Sequence, residues 1–196
     1  MRYLWASAFA LLLGLGTAFA APLHDAVRGG KIDQVRQALD GGVSVAEPDD
    51  AGDPPLVIAA LVGNSDIVTL LLQRGADVGI RNKHGLTALH AASYAGNLEI
   101  VKLLIAKGAA VNDTHNFYSM TPLHAAAEED RADVVAFLLA NGADIEAKER
   151  NGYTPLSQAG WRGYWDAAGL LMKAGAICQG PDIVGERFYQ ECLKRK

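Results

Sequence analysis

Five leucines set the frame of this chain. Leu23, Leu56, Leu89, Leu123 and Leu156 follow one another at intervals of 33, 33, 34 and 33 residues. Each sits in a similar stretch: "APLHDAV", "PPLVIAA", "TALHAAS", "TPLHAAA" and "TPLSQAG". A second marker, Gly42, Gly75, Gly108, Gly142 and Gly175, keeps the same beat, and all but the first of these glycines precede an alanine. Self-similarity at such a period predicts stacked supersecondary units rather than one closed core, because a short unit cannot bury its own apolar face. The single extra residue lies between Gly108 and Thr121.

Each unit has the same internal order. A threonine suited to helix capping is followed by a proline tolerated in the first turn, and then by a short alanine-rich helix. A second helix carries apolar residues at helical spacing, as in Ile100, Val101, Leu103, Leu104 and Ile105. Glycine then ends it in a left-handed conformation. This grammar resembles the ankyrin repeat, whose pattern D-x-x-G-x-T-P-L-H-x-A-A…V-x-x-L-L-x-x-G-A-D is met most fully by "RNKHGLTALHAASYAGNLEIVKLLIAKGAAVN" and "TPLHAAAEEDRADVVAFLLANGADI". The resemblance implies an all-α solenoid of about five units over residues 21–178, near 21–50, 51–82, 83–115, 116–149 and 150–178. Departures fall at Ser119 and Asp130, which stand where other units have glycine, and at Val57 and Ser157, which replace the motif histidine. They bear on local loop shape and leave the fold untouched. Residues 179–196 break the pattern and predict a capping helix with Val184, Phe188 and Cys192 on one face.

The N-terminus has a different character. Arg2 precedes an apolar run, and Ala18-Phe19-Ala20 supplies small residues where a signal peptidase needs them. Residues 1–20 are therefore predicted to be a secretory signal cleaved after Ala20. An uncleaved anchor is the alternative, for which the run is barely long enough. The remaining 176 residues carry 17 basic and 22 acidic side chains, a net −5, with no clustered basic face of the kind nucleic acid requires. The expected partner is another protein. Neither nucleic acid nor, after cleavage, a membrane is expected, and the chain is expected to be a monomer.

Residues that could carry chemistry are few. His24, His90 and His124 share one repeat slot, for which the resemblance implies a structural bond from loop to helix. His84 and His115 lack the companions a zinc site needs. No Gly-x-Ser-x-Gly elbow, phosphate-binding glycine loop or His-Glu-x-x-His is present, so neither catalytic residue nor cofactor nor metal is expected. The acidic run Glu128-Glu129-Asp130 reads as a solvated face. Cys178 and Cys192 are an even pair in a chain predicted to be exported, which favours a disulfide, with two buried free thiols as the alternative. A redox role for the pair is a further possibility, although no activating motif accompanies it.

The resemblance also implies that partners meet the loop tips and the outer ends of the first helices. Besides Arg28, Leu61, Val62 and Leu86, those slots hold Tyr94, Glu128, Glu129, Trp161 and Arg162 on the helices, and Phe117, Tyr118, Met120, Arg150 and Tyr153 in the loops. Aromatic residues and arginine dominate binding energy at interfaces, so these ten form the predicted partner-binding surface. Phe117, Tyr118 and Met120 have an alternative place, folded inward over the one-residue insertion. Trp161 and Trp165 have one too, against the C-terminal cap. The chain further resembles the exported ankyrin-repeat proteins of the Gram-negative periplasm. That resemblance implies support of a resident enzyme such as a catalase in oxidative-stress defence, or alternatively immunity against a delivered toxin such as a phospholipase.

Overall fold

A computed structural model describes residues 23–163 and 165–195. The predicted signal and its cleavage point after Ala20 lie outside these residues. The described chain is helical, with one isolated backbone bridge between Arg81 and Thr87. Helices come in pairs: α1 (residues 23–28) with α2 (Ile32–Asp40), α3 (Pro55–Val62) with α4 (Ser65–Gln73), and α5 (Ala88–Ala95) with α6 (Leu98–Ala106). They continue as α7 (Pro122–Glu128) with α8 (Ala132–Ala140), and α9 (Pro155–Arg162) with α10 (Trp165–Lys173). First helices pack on first helices in the order α3, α5, α7, α9, and second helices on second helices in the order α2, α4, α6, α8, α10. Two layers result, with the core between them.

The local chemistry explains the regularity. Thr121 and Thr154 are extended residues whose hydroxyls accept the backbone N–H groups of His124 and Ser157, each at 3.3 Å. Pro122 and Pro155 then occupy first-turn positions that need no donor. The period leucines Leu23, Leu56, Leu89, Leu123 and Leu156 are all buried, and full burial of each stabilises the stack by about 1.5–3 kcal/mol. Between paired helices the chain turns through a left-handed residue, Gly96 (φ 82°) being typical. Asp130 holds the same conformation at φ 55°, and Ser119 holds the left-handed loop position at φ 54°. Both departures from glycine therefore keep the loop shape of the other units.

The repeat histidines act as straps. His90 accepts the Thr87 N–H at Nδ1 (3.3 Å), and its Nε2 donates to the Met120 carbonyl at 3.0 Å. His124 bonds Thr121 and the Tyr153 carbonyl in the same way, while His24 Nε2 reaches the Glu47 carbonyl at 2.8 Å. Ser157, the substitute in the last unit, bonds Gln179 instead, and Gln179 Nε2 donates to the Gly152 carbonyl at 2.8 Å. A serine and a glutamine thus replace one imidazole.

The C-terminal cap departs from the single predicted helix. It is split into α11 (Pro181–Val184) and α12 (Glu186–Arg195) at Gly185, whose φ of 80° with ψ of 150° no side chain tolerates well. Val184, Phe188 and Cys192 are nonetheless all buried. Phe188 seats on Gly160 of α9 and stacks on Trp165, with ring centroids 5.9 Å apart. Cys178 and Cys192 are joined by a disulfide, with Cα atoms 6.1 Å apart, which settles the choice against free thiols. The bond ties α12 to the segment that leaves α10 and contributes about 3 kcal/mol in the chain-entropy picture.

Candidate functional site: a groove along the first helices

One side of the first-helix layer is open. On α3 this face carries Ile58 and, one turn later, Leu61; on α5 it carries Ala91 and Tyr94. On α7 the same places hold Ala125 and Glu128, and on α9 Gln158 and Trp161. The spacing of three residues puts each pair on one helix face, and the 33-residue period brings the four pairs into register. The loops supply the rest of the lining, chiefly Leu86, Met120 and Tyr153, with His84, Tyr118 and Asn151 at the tips. The groove encloses about 860 Å³.

Loop geometry makes this wall firm. Asn116 accepts the N–H groups of Tyr118 (3.2 Å) and Met120 (3.1 Å) and donates to the Met120 carbonyl at 2.7 Å. Asn82 and Glu149 do the equivalent work in the neighbouring loops. Successive tips are also joined by main-chain bonds, Phe117 N–H to the His84 carbonyl at 2.9 Å and Arg150 N–H to the Tyr118 carbonyl at 2.8 Å. Beneath the one-residue insertion lies Asp113, gripped by Arg81 at 2.9 and 2.5 Å and bonded to the His115 N–H at 3.0 Å. The Arg81 guanidinium holds the Asp113 carboxyl below the usual carboxylate range, despite burial that acts in the opposite direction.

Six of the ten predicted residues line the groove: Tyr94, Tyr118, Met120, Glu128, Tyr153 and Trp161. The other four flank it in two clusters. Phe117 is 62 % exposed, meets Tyr118 edge-on at 5.2 Å, and lies under the Arg150 guanidinium at 4.6 Å. The inward alternative for Phe117 and Tyr118 is therefore not what the chain adopts, while Met120 is half-buried against the groove wall. Arg162 donates to Glu128 at 2.6 Å and lies 3.6 Å from Glu129. Glu128 and Glu129 are four-fifths buried beside it, so the solvated-face expectation for the acidic run is corrected: this is a paired, partly sheltered cluster. Glu129, then burial, push the Tyr94 phenol above its ordinary value. The two tryptophans divide. Trp161 is 68 % exposed and tilts toward Tyr153 at 6.1 Å, whereas Trp165 is packed between Phe188 and the Arg195 guanidinium.

Sequence reasoning reached the unit-two end of the groove only in part: Leu61 and Leu86 fall in contact slots, but Val57 and Ile58, which complete the aliphatic wall, do not stand out. Helix α3 is apolar almost all round, so its pattern does not separate groove from core. Register offered the missing signal, since Ile58 and Leu61 align with Ala91 and Tyr94. Among the described residues, no three His, Cys, Asp or Glu side chains converge as a metal site requires.

The sequence model of the family described as ankyrin repeats (3 copies) matches residues 7–82, 75–149 and 115–182. The chain belongs to the ankyrin-repeat family. No curated protein is detectably similar to it. As an ankyrin-repeat protein it is a protein–protein interaction scaffold, and the ankyrin stack explains the groove: four units in register present the same slots four times, each with a different side chain. No helix of the described residues is long and apolar enough to cross a membrane.

Proposed function

We propose that this ankyrin protein is an exported clamp that grips a periplasmic partner protein through the groove and the Phe117–Tyr118 tip. The sequence resemblance favours a partner resident in that compartment, such as a catalase serving oxidative-stress defence. The observation that carries the proposal is the open aromatic lining, with Trp161 68 % exposed. Large exposed aromatic side chains grouped on one concave surface mark a contact site. The signal-like order of residues 1–20 and the disulfide both suit an oxidising compartment.

The test is a cross-linked capture from periplasmic extract with two baits, the native chain and a Tyr118→Ala/Trp161→Ala variant shown by circular dichroism to be folded. A resident protein held by the first and released by the second is the expected result. Equal capture by both baits would move the contact away from the groove. A protein found entirely in the cytoplasm on cell fractionation would end the export part of the proposal.

A further inference from the structure

The lining of the groove changes character along its length. At the α3 end, Val57, Ile58, Leu61 and Leu86 make it aliphatic. At the α7–α9 end, the lining is Tyr94, Tyr153, Trp161 and Glu128. Between them the floor is Ala91 and Ala125, which leave room for a main chain to lie close to the helices. The Gln158 side-chain amide, also in the lining, makes no hydrogen bond within the described residues.

We infer that the groove takes an extended segment of the partner protein, with a branched aliphatic side chain at the α3 end and a lysine or arginine at the α7–α9 end. This rests on the reading of the groove as the gripping surface and adds the chemistry of what is gripped. Charge selects the cation. At the α7–α9 end the lining holds the carboxylates Glu128 and Glu149, with Glu129 beside them and no cation among the lining residues there. Glu149 is turned into its own loop, Arg162 pairs with Glu128 and Glu129 from outside the lining, and the Arg131 and Arg150 guanidinium groups are turned to the Tyr94 and Phe117 carbonyls, so the groove surface itself presents carboxylate. The raised Tyr94 phenol reports the same negative field. Trp161, exposed and tilted at 44° to Tyr153 with centroids 6.1 Å apart, offers an open ring face, and a cation within about 6 Å of such a face is attracted by the ring quadrupole. A carboxylate accepts several donors, so a ligand cation can join Arg162 on Glu128 without displacing it.

An extended chain of moderate length spans the groove. Packed helices lie about 8–10 Å apart, so the three steps from α3 to α9 cover roughly 27 Å. A strand advances about 3.3 Å per residue, which puts about eight residues between the aliphatic and cationic anchors. The alanine floor suits the backbone between them, with the Gln158 amide beside it.

The test begins with selection of a random peptide library of about ten residues on the purified, disulfide-bonded protein. The affinity of the enriched peptide is then measured for the native chain and for Glu128→Gln, Trp161→Ala and Leu61→Asp, each checked for folding. Enriched peptides are expected to hold Lys or Arg about eight residues from Ile, Leu or Val. Trp161→Ala and Leu61→Asp should each weaken binding by about tenfold or more, and added salt should weaken it further. Peptides with an acidic or uncharged residue at the cationic place, still lost in Trp161→Ala, would overturn this inference and leave the groove reading intact. Peptides indifferent to all three substitutions would overturn both. No enrichment at all would overturn the extended segment, and the paired-bait capture would then decide the groove separately.

Discussion

Asp130 shows how one residue can do two jobs. Gly30, Gly63, Gly96 and Gly163 hold the same slot in the other units, and all are left-handed. An aspartate there is strained relative to glycine, by about 1 kcal/mol. Its carboxylate, however, accepts the Ala167 N–H at 2.7 Å, in the first turn of α10 in the next unit, and a cap of this kind contributes about 1 kcal/mol. The two effects nearly cancel. Asp130→Gly should therefore change stability by less than about 1 kcal/mol, while Asp130→Ala keeps the strain and loses the cap, costing about 1–2 kcal/mol. Urea midpoints of the two variants check this: no loss in Asp130→Ala would remove the capping role, and equal losses in both would remove the strain. The histidine straps lead to a pH prediction at the same scale. Burial pushes the imidazoles of His90 and His124 below the ordinary value. The unfolded chain takes up protons as pH falls through about 6.5 while these folded sites resist. Their stabilisation is thus fully present above about 6.5 and is lost as pH falls toward the lower folded values. Asp49 and Asp113, held below the carboxylate range, lose theirs only below about pH 3.8, outside this window. Unfolding free energy should drop between about pH 7 and pH 5, and the drop should shrink in His90→Asn/His124→Asn. A native protein with no slope over that range would contradict the buried neutral straps.

Among the elements, the cap gives the sharpest case. Helices α3, α5 and α7 are each covered by the next first helix, but α9 has no successor and is met instead by α12. Gly160 makes this possible: a Cβ there would stand 1.6 Å from Phe188 Cε2. Glycine-to-alanine changes inside helices ordinarily stabilise, by up to about 1 kcal/mol. Here the methyl must expel a buried aromatic ring whose burial is worth about 1.5–3 kcal/mol, so Gly160→Ala should destabilise on balance. Phe188→Ala should cost about 3 kcal/mol alone and much less in the Gly160→Ala background. Additive losses in that double-mutant cycle would show that the ring does not sit on Gly160. Sequence made the existence of this cap legible, because Val184, Phe188 and Cys192 recur every four residues. It hid the break at Gly185, since a period of four survives a kink that keeps the same side chains buried. The repeats themselves were fully legible, because Leu23 to Leu156 recur with the geometry of the stack. The site was legible where a slot normally polar holds an aromatic, as at Tyr94 and Trp161. It was obscure where an aliphatic wall, Val57 and Ile58, looks the same as core.

At the scale of the whole molecule, a linear stack has ends, and its stability is distributed along a line. The N-terminal end is weak: α2 buries only Val35, whereas α4 buries Ile67, Val68, Leu70 and Leu71. The C-terminal end is also thinly packed, α12 burying only Phe188 and Cys192, but a disulfide holds it. Local opening requires few buried contacts and a chain free to leave. The two ends meet the first condition, and among the described residues a covalent tie holds only the C-terminal one. Native-state hydrogen exchange should therefore find α1 and α2 opening first, at free energies well below those of α3 to α8. The amides of α12 should be better protected than its packing alone would give. Reducing the bond, or substituting Cys192→Ser, should lower the opening free energy of α12 by about 3 kcal/mol and leave α3 to α6 unchanged, because neighbours in a stack feel only neighbours. Loss of protection through the entire chain would mean that the stack unfolds as one cooperative block and that the bond secures all of it. The groove runs from α3 to α9, so its aromatic end lies next to the stapled terminus. A staple there keeps Trp161 and Tyr153 in place while the opposite end of the stack breathes.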